Sequence, residues 1–187
     1  MTLGLKATFV ERKLWPAIEA RLAAENPLVL ETLRHASWHG WVSAFEHEAL
    51  ASAAAAEIGL DALRALSASR LDEAAIASAS GPIGPPLRSW TRAYAGDLRR
   101  LARVGPWLWR STTRNAGAMT VAHEDLERVV LRVSDCALLA SSPAWQALLA
   151  GLGDAVLALG GVEASINVGS PAKEVTELVA TRRVEER

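Results

Sequence analysis

A single cysteine, Cys136, stands in 187 residues, so the chain can form neither an internal disulfide nor a cysteine-based zinc site, and a cytoplasmic setting is expected. Excess charge of either sign is missing too. Twenty Lys and Arg face 21 Asp and Glu, a net charge of −1, which gives no overall field to draw nucleic acid or anionic lipid, and neither is an expected partner. The first residues lack the basic and apolar regions of a signal peptide. Long apolar runs are also scarce. The best candidate, 143–162, is about the twenty residues a bilayer needs, but it holds Asp154, Gln146 and four glycines and is flanked by strand-like sequence. It reads as a buried helix and not as a membrane span. No G-x-S-x-G, phosphate-binding loop or dinucleotide glycine fingerprint occurs, and no histidine near Cys136 in sequence would activate its thiol. No catalytic residue can be named, and the reading is of a non-enzymatic domain, with activity left open.

What is present is apolar. Half the residues are hydrophobic, enough for a core of one domain spanning 1–187. Residues 7–24 carry Phe9, Val10, Leu14, Ile18 and Leu22 at helical spacing. A second helical stretch runs from Val29 to Ile58, with Trp38, Trp41, Val42, Phe45 and Ala49 as its stripe and His47 opposite. A third runs from Leu60 to Ala77. Gly and Pro between Ser80 and Pro86 break the pattern. Leu87 to Val104 resumes it, with Asp97 placed to cap a second helix after Gly96, and Gly105-Pro106 ends it.

From Asn115 the period changes to two. Met119–His123 and Glu127–Val133 read as strands, Pro143–Leu159 as a helix capped by Ser142, and Ala164–Val168 and Val175–Val184 as two more strands joined at Gly169–Pro171. The expected class is α+β: a helical layer over 1–110, then a strand–strand–helix–strand–strand antiparallel unit over 115–187.

Three groups could carry function. His35 and His39 stack at i and i+4, the spacing of metal- or haem-binding pairs, but His47 does not converge with them and no structural metal site is expected. Seven arginines and one acidic residue lie between Leu87 and Arg114. Arg88, Arg92, Arg99 and Arg103 share one helical face, as a solvated stripe or an interaction surface. Seven tryptophans, against one Tyr and two Phe, form either core or the wall of an apolar pocket.

Laid out this way, the chain resembles an uncharacterised myxobacterial family, a domain of unknown function. The resemblance rests on Thr8-Phe9, Ala36-Ser-Trp38, Gly84-Pro-Pro-Leu87, the run Arg-Leu-Ala-Arg-Val-Gly-Pro-Trp-Leu-Trp-Arg from Arg100, and Leu148 to Val168. That family is distantly similar to haem-nitric-oxide-binding (H-NOX) domains and to 4-vinyl-reductase-type ligand domains, which hold ligands between a helical layer and a sheet.

The resemblance implies a sensory or adaptor domain binding a small apolar ligand or a protein partner there. Trp107, Trp109 and Trp145 would line the site, with Arg110 and Arg114 at its mouth. Its haem members take an iron-ligating histidine from the helix before the sheet and carry a Tyr-x-Ser-x-Arg motif, and both are missing here. No cofactor is therefore expected. The alternatives are haem held through His35 or His39, and a subunit of a larger assembly, as monomer or homodimer, using the arginine face or the small residues of 143–160.

Overall fold

The computed structural model describes residues 2–35, 42–70 and 84–183. Its N-terminal part is helical: α1 Thr2–Glu11, α2 Trp15–Glu25, α3 Pro27–His35, α4 Ala44–Ile58 and α5 Leu60–Ser69. Next come α6 Gly84–Ala93, α7 Leu98–Ala102 and α8 Val104–Thr112. The C-terminal part runs β1 Ala118–Glu124, β2 Arg128–Ser134, α9 Ala137–Ser141, α10 Pro143–Leu159, β3 Ala164–Ala172 and β4 Val175–Arg182. The four strands form an antiparallel sheet in the order β1-β2-β4-β3. The class is α+β, helices first and sheet last.

Local chemistry explains the breaks that a continuous helical period missed. The helix expected over 7–24 is two, because the chain turns at Lys13, in the left-handed region at φ 59°. The turn shifts the phase, so Phe9, Ile18 and Leu22 are fully buried while Val10 is half exposed. A new helix also starts at Ser43. The Ser43 hydroxyl accepts the Glu46 N–H at 3.1 Å and the Glu46 carboxylate accepts the Ser43 N–H at 2.6 Å, a capping box that restarts the count.

Phe45, expected in the core, is therefore 54% exposed, and His47, expected outside, is 5% exposed. Two residues on a helix are about 200° apart, so they exchange places together. Trp38, Trp41 and His39 lie outside the described residues. Gly105-Pro106 opens a helix where it was expected to end one: proline is tolerated in a first turn, and α8 runs through it.

The helix from Pro143 to Leu159 lies where the sequence put it, capped by Ser142, whose hydroxyl accepts the Trp145 N–H at 3.1 Å. Its nearly all-round apolar surface has a simple cause. The sheet covers one side, and α4 and α5 cover the other. The approach of α5 is close: a Cβ on Gly151 would stand 2.2 Å from the Arg64 carbonyl oxygen and 2.8 Å from the Ser67 Cβ. Asp154, the one charge of the segment, receives two hydrogen bonds from Arg64 at 2.6 and 2.9 Å. A third guanidinium bond, at 2.9 Å, reaches the Ile166 carbonyl on β3. One ion pair thus ties the helical layer, α10 and the sheet together. No helix among the described residues is long and apolar enough to cross a membrane.

A candidate ligand cavity between helices and sheet

A cavity of about 270 Å³ lies between the helices and the sheet. The four strands, α10, and the helices α4, α5, α7 and α8 meet around it. Leu98 and Leu101 of α7, Leu108 and Trp109 of α8, and Leu149 and Val156 of α10 form its helical wall. Met119, Val129, Leu131, Ile166 and Leu178 supply the sheet wall. The period of two puts Val129, Leu131 and Val133 on this one face of β2, with Val129 and Val133 buried and Leu131 partly so.

Two glycines let the walls approach at the edges. A Cβ on Gly105 would meet the Leu131 Cδ1 at 2.7 Å, and one on Gly153 would meet the Ile166 Cδ1 at 2.4 Å. The volume stands near the low end of small-molecule sites, roughly 300–1,000 Å³.

Against this apolar background the polar lining residues are few: His47, Ser67, Arg70 and Thr112, with the indole N–H groups of Trp109 and Trp145. Most have local partners. Ser67 donates to the Leu148 carbonyl at 2.7 Å, Thr112 to the Leu108 carbonyl at 2.7 Å, and the Trp109 N–H to the Gly117 carbonyl at 3.3 Å. The Trp145 N–H is buried and meets no acceptor among the described residues.

Trp145 is stacked 6.5 Å from Trp109 and meets the His47 ring edge-on at 5.0 Å. Burial, helped by the Arg70 charge, pushes the His47 imidazole down to about 3, so it is neutral near pH 7. Burial also lowers Arg70.

The sequence-derived candidates divide. Trp109 and Trp145 line the cavity together, brought from α8 and α10. Trp107 does not, because two positions on α8 turn it away. It packs edge-on against Trp90 of α6, 4.6 Å between centroids. Arg110 and Arg114 are exposed and lie outside the lining.

Arg88 and Arg92 sit on α6, while Arg99 lies on α7 and Arg103 just after it, so a turn at 94–97 divides the stripe. Arg103 is held by Glu124 at 2.7 Å. His35 is exposed at the end of α3, 2.8 Å from Glu31. Sequence reasoning missed Arg70 and His47. The cap at Ser43 was the available signal for His47. Arg70 gave none, since a lone arginine at a helix end is ordinary.

The cavity does not fit haem in the way the resemblance implies. The helix before the sheet, α8, offers it Gly105, Leu108, Trp109 and Thr112, none of them an iron ligand. Among the described residues the one imidazole in the lining comes from α4 and is packed against Trp145. No group of three or more His, Cys, Asp or Glu able to hold a metal occurs among the described residues. Burial pushes the Cys136 thiol up, away from a reactive thiolate.

Neither a family model nor a curated protein matches the sequence. Solved structures do match the fold. An Fe(II) unliganded H-NOX protein from K. algicida is 10% identical, covers 92% of this chain and 96% of its own, and has a TM-score of 0.53. A point mutant of it gives 0.56 over the same shares. A structure concerned with haem distortion in the H-NOX family is 9% identical, covers 95% of this chain and 90% of that one, and gives 0.57. The chain therefore has an H-NOX-like fold, with none of these neighbours close in sequence.

Proposed function

We propose that this chain is a sensory ligand-binding domain that takes a small, largely apolar molecule into the cavity between its helical layer and sheet. The observation that carries this reading is the cavity itself. Protein interiors are close-packed, and a void of about 270 Å³ forfeits dispersion contacts along all its walls. An occupant restores them. The likeness of the fold to H-NOX structures supports the reading of a ligand-binding domain. Haem through His35 has no support from geometry, because His35 is exposed and outside the lining.

The test uses neutral apolar probes, 1-decanol and toluene, with Trp109 and Trp145 as built-in reporters. Saturable binding with a change in tryptophan emission is expected, and Leu152→Trp, which fills the cavity from α10, should abolish it while leaving a cooperative melt. Absence of saturable binding, or undiminished binding to the filled variant, defeats the reading. The natively purified protein is expected to show no Soret band. A band lost on His39→Ala would instead assign haem.

A further inference from the structure

The donors facing the cavity outnumber the acceptors, and this imbalance says what its occupant carries. Ser67, Thr112 and Trp109 spend their donors on backbone carbonyls. The Trp145 N–H meets no acceptor among the described residues, and the half-buried Arg70 guanidinium is lowered by desolvation with no hydrogen-bonded carboxylate among them to counter it. Arg70 and Trp145 line the same cavity, and the His47 ring lies 5.0 Å from Trp145. No Asp or Glu is among the described residues that line the cavity. A guanidinium left partly buried without a counter-charge is costly, and the loss is recovered when an anion reaches it.

Resting on the ligand-binding reading above, we propose that the occupant is a single-chain amphiphile with a carboxylate head, its head on Arg70 and its tail between Leu101, Leu149, Val156 and Leu178. Carboxylate geometry matches the planar guanidinium fork, which offers two parallel N–H bonds to two oxygens. The tail buries apolar surface against walls that present almost nothing polar. His47, neutral and packed on Trp145, adds no competing negative charge. The arrangement separates head from tail along the cavity and selects against neutral alkanes and against cations.

The experiment compares decanoate with 1-decanol, equal in chain and different in head, by calorimetric titration at neutral pH on the wild type, Arg70→Gln and Arg70→Lys. Decanoate is expected to bind about ten-fold or more tighter than decanol to the wild type, the scale of a charge-assisted pair. Arg70→Gln should erase that preference by weakening decanoate far more than decanol, with a cooperative thermal melt as proof that the variant is folded. Arg70→Lys should retain part of the preference. Equal binding of the two heads by the wild type, or a preference that survives in Arg70→Gln, overturns the carboxylate assignment and leaves the cavity reading in place. Binding of neither molecule overturns both.

Discussion

His47 is held at 5% exposure against the Trp145 indole, and an imidazolium there would lack water around it. The folded state keeps the ring neutral down to about pH 3, while the unfolded chain protonates it near its ordinary 6.5. The unfolded state therefore binds more protons below 6.5, and the stability due to the neutral ring, fully present above that pH, is lost as pH falls toward 3. The slope is about 1.4 kcal/mol per pH unit for one group.

Between pH 6.5 and 4.5, urea melts of the wild type should show this decline, and His47→Phe should flatten it. An equal slope in the variant would assign the loss to other groups. Neither His47 nor Arg70 was legible in the sequence as a residue that lines the cavity. A helical stripe is only as good as its starting point, and the capping box at Ser43 resets the count that put Phe45 inside. The indole pair was half legible: Trp109 and Trp145 fall on cavity-facing positions, while Trp107 shares their residue type and not their phase.

Elements were easier to read than side chains, because an element needs only a period and its stops. The helix of Pro143–Leu159 matched its expected bounds since proline at the first helical position and Gly160 past the end punctuate it chemically. Short pieces escaped. The five-residue helix α9 has too few positions to show a period, and β3 runs on to Ala172 through Gly169–Pro171, which resembled a turn.

Two changes test the packing of α10. Gly151→Leu forces atoms into the Arg64 backbone, so it should destabilise the chain by about 1–3 kcal/mol or more at every protein concentration. Dissociation of a folded dimer in its place would make this face an interface. Asp154→Asn removes the charge from a bidentate pair that is about one-third exposed, so the expected loss is only about 1–2 kcal/mol. A double-mutant cycle with Arg64→Met measures the coupling, and additive losses would show that the pair contributes nothing of its own.

At the scale of the molecule, the cavity and the stability of the fold are linked. Three layers meet at α10: α4 and α5 on one side, the sheet on the other, and α7 and α8 closing the space toward β1. The sequence shows that these layers exist, since amphipathic and all-round apolar segments must be covered. It does not show that they stop short of full contact, because a void is a property of summed side-chain volumes across elements far apart in the chain. A ligand seated there touches all three layers at once. It should then raise the free energy of unfolding by RT ln(1 + [L]/Kd), about 2.7 kcal/mol at a hundred times Kd. Because the walls are shared, the gain should appear across elements together. Amide hydrogen exchange with saturating decanoate should slow in α8, α10, β2 and β4 in parallel, leaving α2 and α3, which supply no lining residue, nearer their unliganded rates. Protection confined to one helix, or to exposed segments bearing Leu28 and Phe45, would place the binding on the surface and separate it from the cavity.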